Sequence, residues 1–114
     1  MFREEWMTMT YQTLAQQLKM ISDVNRLEII NMLSCGELCA CDLLEHFQIS
    51  QPTLSHHMKI LVEGNMVNMR KEGNKRMYQL NHHIFNELKK TLEHLSTSTS
   101  ACACHSLKMG DCEG

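Results

Sequence analysis

At 114 residues, with 43% hydrophobic and 21% charged residues, the chain has one small domain's worth of globular sequence, and this balance excludes a disordered or fibrous class. A chain this short buries only about two-thirds of its unfolded surface, so a second copy is expected to complete the core. The net charge of −2 argues against a nucleic-acid partner only until the charges are mapped: from Ser55 to Arg76 there are five basic residues against two acids, a net +3, while the remainder carries six against eleven, a net −5.

Taken in chain order, the first apolar period runs through Tyr11, Leu14, Ala15, Leu18 and Ile21 and predicts a helix over about Tyr11 to Ile21. Ser22 or Asp23 then caps a second helix with Leu27, Ile30 and Leu33 on one face, stopped near Ser34-Cys35-Gly36. Glu37 to Phe47 reads as a short helix with Leu43, Leu44 and Phe47 as its apolar face. After the break Gln48-Ile49-Ser50, Ser50 is a good N-cap and Pro52 sits in the first turn, where its missing N–H does no harm. The following helix turns Leu54, Met58 and Leu61 inward, leaves Gln51, Thr53, Ser55, His56 and Lys59 on its other faces, and ends at Gly64-Asn65.

From Met66 to Leu80 the period changes to two. Val67–Lys71 and Arg76–Leu80 flank the turn-forming Glu72-Gly73-Asn74-Lys75, which predicts a β-hairpin with a basic tip. A last helix over about His82 to Leu95 carries Ile84, Leu88, Leu92 and Leu95. Ser96 to Ser100 is polar and of low complexity, and the tail beyond it holds Cys102, Cys104 and Cys112 without periodicity. The expected organisation is a domain over residues 1–97 and a flexible cysteine-containing tail over 98–114. No apolar run is long enough to cross a bilayer, and Met1-Phe2-Arg3-Glu4-Glu5-Trp6 lacks the apolar stretch of a secretory signal. A cytoplasmic protein with no membrane partner is therefore expected.

A short helix, a tight break, a capped helix with a polar face, then a basic hairpin is the order of a winged helix-turn-helix. The fold expected is mainly α (α+β), with about five helices plus a hairpin wing. Gln51, Thr53, Ser55 and His56, with Lys59, can meet base edges in a major groove, and Arg70, Lys71, Lys75 and Arg76 can clamp phosphates. Either feature alone reads as a solvated helix or an ordinary basic hairpin. Their adjacency, with the positive charge concentrated there, points to double-stranded DNA. No Gly-rich phosphate loop, Ser/His/Asp set or paired carboxylates stand at useful spacing, so an enzyme is not expected.

Asp23-Val24-Asn25-Arg26-Leu27-Glu28, Glu37-Leu38-Cys39-Ala40-Cys41-Asp42-Leu43, Ser50-Gln51-Pro52-Thr53-Leu54-Ser55-His56-His57-Met58 and Arg70-Lys71-Glu72-Gly73-Asn74-Lys75 resemble the ArsR/SmtB family of metal-sensing repressors, in particular its arsenical-resistance members. The resemblance covers about Tyr11 to Leu95. It implies a homodimer that represses its own operon and leaves the operator when arsenite or antimonite binds. Leu14, Leu18, Leu88 and Leu92 would form the dimer interface, and the two-fold symmetry predicts a palindromic operator with half-sites about one or two helical turns apart.

Cys39 and Cys41 suit that role on chemical grounds, since As(III) and Sb(III) are soft centres that favour thiolates. At a helix start the free N–H groups lower a thiol pKa. Residues two apart on a regular helix point roughly 200° from each other, so shared ligation is expected to unwind the turn and compete with DNA binding. The alternative is a pair of half-buried structural cysteines. In the best-known form of the motif a third cysteine stands where this chain has Leu44; Cys35, Cys102, Cys104 and Cys112 are the candidate replacements.

Many zinc-sensing relatives carry an Asp, two His and a Glu on the last helix. His83 and His94 match the His spacing, but Asn81 and Thr97 stand at the carboxylate positions, which leaves a poor zinc site. His46, His57 and His82 read as surface or interface residues, and Trp6 has no functional reading. Two rivals remain: the same fold answering Cd(II), Pb(II) or Bi(III), whose sensors tend to use N-terminal cysteines absent before Cys35, and a cytosolic arsenic carrier or thiol-redox protein working through Cys102-Ala103-Cys104.

Overall fold

A computed structural model describes residues 2–97, with side chains described from residue 11 onward. Its first helix, α1 (Phe2–Ile21), begins well before the apolar periodicity does; no glycine or proline interrupts the added turns. Asp23 then stands in an extended conformation, and its Oδ1 accepts the backbone N–H groups of Asn25 and Arg26 at 2.8 and 3.1 Å, which starts α2 (Val24–Leu33). The buried face of α2 is Ile29 and Leu33, one turn apart, with Ile30 half-buried; Leu27 is 51% exposed, so the expected Leu27 stripe is corrected to Ile29.

The stretch expected as one helix over Glu37 to Phe47 is a strand followed by a helix. Strand β1 (Leu38–Cys39) pairs antiparallel with Tyr78 and Met77, and α3 (Ala40–His46) begins directly after it. Cys39 is the N-cap of α3. Its Sγ accepts the Asp42 N–H at 3.1 Å while the Asp42 carboxylate accepts the Cys39 N–H at 3.0 Å, a capping box with sulfur in the place of a hydroxyl.

Ser50 caps α4 (Gln51–Glu63) through the Thr53 N–H, and the helix buries Leu54, Met58 and Leu61 as its spacing predicts. It closes through Asn65 at φ 62°, with the Met66 N–H returning to the Leu61 carbonyl at 2.9 Å. At Gly64 a Cβ would overlap the Met20 thioether, so the missing side chain lets α1 pack against the end of α4.

Strands β2 (Val67–Glu72) and β3 (Lys75–Leu80) form the wing in the register Val67–Leu80 to Glu72–Lys75. Gly73 at φ 63° takes the first position of their two-residue turn, the left-handed conformation that a type II′ hairpin requires there. The sheet order is β1-β3-β2, so the wing is anchored by a third strand that periodicity did not reveal. Helix α5 (His82–Ser96) is capped by Asn81, whose Oδ1 accepts the Ile84 N–H and whose Nδ2 donates to the Asn65 carbonyl. Asn81 thus has a structural task at the position where zinc sensors would need a carboxylate.

Ile29, Leu33, Leu43, Leu54, Met58, Leu61, Val67 and Tyr78 make one core under the helix-turn-helix and the wing. Each of the large aliphatic side chains there contributes about 1.5–3 kcal/mol by leaving water. Leu14 and Leu88, expected at a dimer interface, are 5% and 4% exposed within the single chain, where α1 packs on α5. Leu18 and Leu92 remain exposed on those two helices, as do Tyr11 and Leu95. The tail over 98–114, with Cys102, Cys104 and Cys112, lies outside the described residues.

Candidate nucleic-acid interface and cysteine site

Helix α3, the break at Gln48–Ser50 and helix α4 form the helix-turn-helix, and the Ser50 cap fixes the direction in which α4 leaves the turn. Because Leu54, Met58 and Leu61 face the core, Gln51, Thr53, Ser55, His56 and Lys59 are all solvent-exposed, as a reading helix requires. On the wing, Lys71, Lys75 and Arg76 are exposed, and among the described residues none of them has a carboxylate partner.

Arg70 behaves differently. Its guanidinium binds Glu37 through two hydrogen bonds, at 2.8 and 2.7 Å, and meets Glu72 at 2.9 Å. This fork holds the Glu37 carboxyl below the usual carboxylate range and raises Arg70 further above its own. Arg70 therefore ties β2 to the turn that leads into β1, and its charge is already answered within the chain.

The two cysteines converge. The Sγ atoms of Cys39 and Cys41 are bonded to one another across a Cα–Cα separation of 5.2 Å. The expectation that they point apart fails because only Cys41 is helical; Cys39, at φ −85° and ψ 162°, is extended and belongs to β1. No unwinding of α3 is needed to bring the sulfurs together. Among the described residues one grouping places three candidate ligand atoms within 4.8 Å of one another, and it comprises Cys39, Cys41 and Asp42. Cys35 is a free, exposed cysteine in the turn after α2 and is not part of it. Two sulfurs are a donor set matched to a soft ion, while the Asp42 carboxylate is hard and already accepts the Cys39 N–H.

Cys39, Cys41 and Leu44 open onto a cleft of about 400 Å³. Gln51, Ser55 and Met58 of α4 form a second wall, and Lys75, Arg76 and Tyr78 of β3 a third. The cysteine pair therefore shares one cavity with the polar face of the reading helix and the basic strand of the wing. Strand pairing adds a mechanical link, since Cys39 lies opposite Met77, and Met77 lies opposite Arg70 on its other side.

One polar network escaped the sequence reading. His57, expected at the surface or an interface, is 7% exposed on the inner side of α4; its Nδ1 lies 3.1 Å from an Arg26 guanidinium nitrogen and 4.0 Å from Asp23 Oδ1. Burial lowers the His57 pKa, and Asp23 only partly offsets this. A neutral Nδ1 can accept from Arg26, which joins the start of α2 to the middle of the reading helix. The signal for it is the position of His57, three residues after Leu54 and four before Leu61, on the helix face that those leucines bury.

Residues 23–69 match the family model described as bacterial regulatory protein, arsR family. The arsenical resistance operon repressors of Staphylococcus xylosus and Staphylococcus aureus are each 58% identical over 104 residues, covering 91% of this chain and 100% of each relative. The chain belongs to the ArsR family. Among solved structures, an ArsR-like transcriptional regulator from Rhodococcus superimposes with a TM-score of 0.68 at 27% identity, covering 75% of this chain and 81% of that one. Membership makes this a transcriptional regulator with a winged helix-turn-helix.

Proposed function

We propose that this ArsR-family protein is a homodimeric repressor of an arsenical-resistance operon, released from a palindromic operator when As(III) or Sb(III) binds Cys39 and Cys41. The observation that carries the reading is the shared cleft: two sulfurs that meet at the β1–α3 junction face the same cavity as Gln51, Ser55, Lys75 and Arg76. The Staphylococcus relatives, whose names state arsenical resistance, support the inducer. The sensing form has both cysteines as thiols, so the Cys39–Cys41 bond is open in a reducing cytoplasm.

Bound there, As(III) supplies a soft centre that occupies both sulfurs. Cys39 is the N-cap of α3 and Cys41 lies in its first turn, so a centre that holds both sulfurs sets the geometry of that turn. Cys39 is also a rung of the sheet, so its displacement passes through Met77 to the adjacent Arg76. Both effects disturb the relative placement of α4 and the wing, and DNA needs both at once. Dimerisation covers Leu18 and Leu92 on α1 and α5. Gln51, Thr53, Ser55, His56 and Lys59 read bases or adjoining phosphates, while Lys71, Lys75 and Arg76 hold the backbone. No helix among the described residues is long and apolar enough to cross a membrane, which agrees with a cytoplasmic site of action.

Arsenite, cadmium and zinc titrated against the complex with the gene's upstream DNA test the reading. Release by arsenite at the lowest concentration is expected. Release by cadmium alone would keep the fold and replace the inducer, and absence of DNA binding throughout would end the repressor reading.

A further inference from the structure

Arg70 and Glu37 meet across a strand that contains neither. Glu37 stands immediately before β1, Arg70 lies in β2, and β3 runs between them. Strands β1 and β2 are thus two spacings apart, about 10 Å. The Arg70 side chain closes that gap and donates two hydrogen bonds, of 2.8 and 2.7 Å, to the Glu37 carboxylate. Side chains alternate along a strand, so Lys71 and Arg76, which lie opposite one another, share a face with Tyr78. Arg76 and Tyr78 line the cleft with Gln51 and Ser55 of α4, so this face looks toward the reading helix. Arg70 and Met77 take the other face. Glu72 meets Arg70 there at 2.9 Å, and two carboxylates answer the one guanidinium.

We propose that Glu37 and Arg70 are positioning residues for operator binding: their fork braces the back of the wing, sets the angle at which Lys75 and Arg76 meet DNA, and takes no phosphate itself. The proposal rests on the reading of α4 and the wing as the DNA surface and names what holds that surface in shape. Strand β1 pairs with β3 at Leu38–Tyr78 and Cys39–Met77, so Lys75 and Arg76 lie beyond the last pair. From there outward the wing is a two-stranded ribbon, the form of sheet that twists most. Arg70 is level with that last pair, and its fork anchors the outer strand to the chain before β1 at the point where the third strand ends. Without the fork the outer strand loses that anchor, and the wing tip gains a range of twist that DNA binding must remove.

The test uses the full chain, reduced, on a labelled fragment of its operator, with anisotropy read across about 50 to 200 mM salt. Glu37→Gln, Arg70→Ala and the double variant are compared with the wild type. Glu37→Gln removes a negative charge beside the wing, so electrostatics alone would tighten DNA binding. A brace that has lost its carboxylate weakens binding instead, by on the order of tenfold in Kd. Arg70→Ala should weaken it to the same extent. The double variant should bind no worse than either single one, because both substitutions open the same fork. All three should keep the salt slope of the wild type. The urea midpoints should stay close to the wild-type value, since an exposed ion pair adds little to stability, and the loss is then one of wing placement in a folded chain. Tighter or unchanged binding by Glu37→Gln overturns the proposal. A flattened slope in Arg70→Ala overturns it as well and makes Arg70 a phosphate contact, as do losses that add in the double variant by showing two independent roles. If the wild type binds no DNA, the reading of the DNA surface falls first and the brace with it.

Discussion

The pairing of Arg70 with Glu37 and Glu72 separates the wing cations into two kinds, and salt dependence distinguishes them. DNA affinity falls with salt by about 0.9 in log–log slope for each phosphate a protein neutralises. Lys75 and Arg76 are exposed and have no carboxylate partner among the described residues, so each is available to a phosphate. The proposed homodimer has two wings, so Lys75→Ala/Arg76→Ala would remove four proposed phosphate contacts and should flatten the slope by about 3.6. Between about 50 and 200 mM salt that amounts to roughly a hundredfold less loss of affinity than in the wild type. Arg70→Ala removes a cation whose charge is met by two carboxylates at 2.7 and 2.9 Å, and should leave the slope unchanged. Anisotropy of a labelled operator fragment across that salt range measures all three proteins. If Arg70→Ala flattens the slope as much as one of the free cations does, the Glu37 fork opens on DNA and Arg70 meets a phosphate as Lys75 and Arg76 do.

Asp42→Ala removes one half of the capping box on α3 and should cost about 1 kcal/mol, read as a lower urea midpoint with an unchanged m-value. Because burial lowers the His57 pKa, the unfolded chain takes up that proton first; the contribution of neutral His57 is complete above about pH 6.5 and declines as pH falls below it. His57→Gln should remove this upper part of the acid sensitivity in thermal unfolding, while the contributions of Asp23 and Glu37, whose carboxyls are held low, persist until more acidic pH. Leu18→Glu/Leu92→Glu places charges on the exposed apolar face of α1 and α5, and sedimentation should show monomers with unchanged helix content. A dimer that survives both charges would move the interface elsewhere.

Much of this architecture is written locally. Ser50, Asp23 and Asn81 act as caps where short polar side chains precede apolar periods, Gly73 marks the hairpin turn, and Leu54, Met58 and Leu61 face inward at the expected spacing. What escaped depends on partners distant in sequence. Strand β1 has two residues, too few for any period, and exists because Tyr78 and Met77 present a free edge to it. The convergence of Cys39 and Cys41 follows from that strand, since pairing with β3 holds Cys39 extended instead of helical. Ile29 displaced Leu27 from the core because Leu27 and Ile29 lie on different faces of α2 and neighbouring elements cover only one. The partners of His57 and Arg70 are illegible locally for a common reason: Arg26 and Glu37, which meet them, stand more than thirty residues away in the chain. The DNA-facing set, read from exposure and charge, depends least on such partners.

The central claim is that the sulfurs of Cys39 and Cys41 control occupancy of the operator. Its most direct test compares the wild type with Cys39→Ser/Cys41→Ser, both reduced and bound to the labelled operator fragment, as arsenite is added. Equal DNA affinity without arsenite, full release of the wild type and an unresponsive variant are expected. A variant that leaves the DNA at the same arsenite concentration would place the sensor elsewhere in the chain and remove Cys39 and Cys41 from the switch.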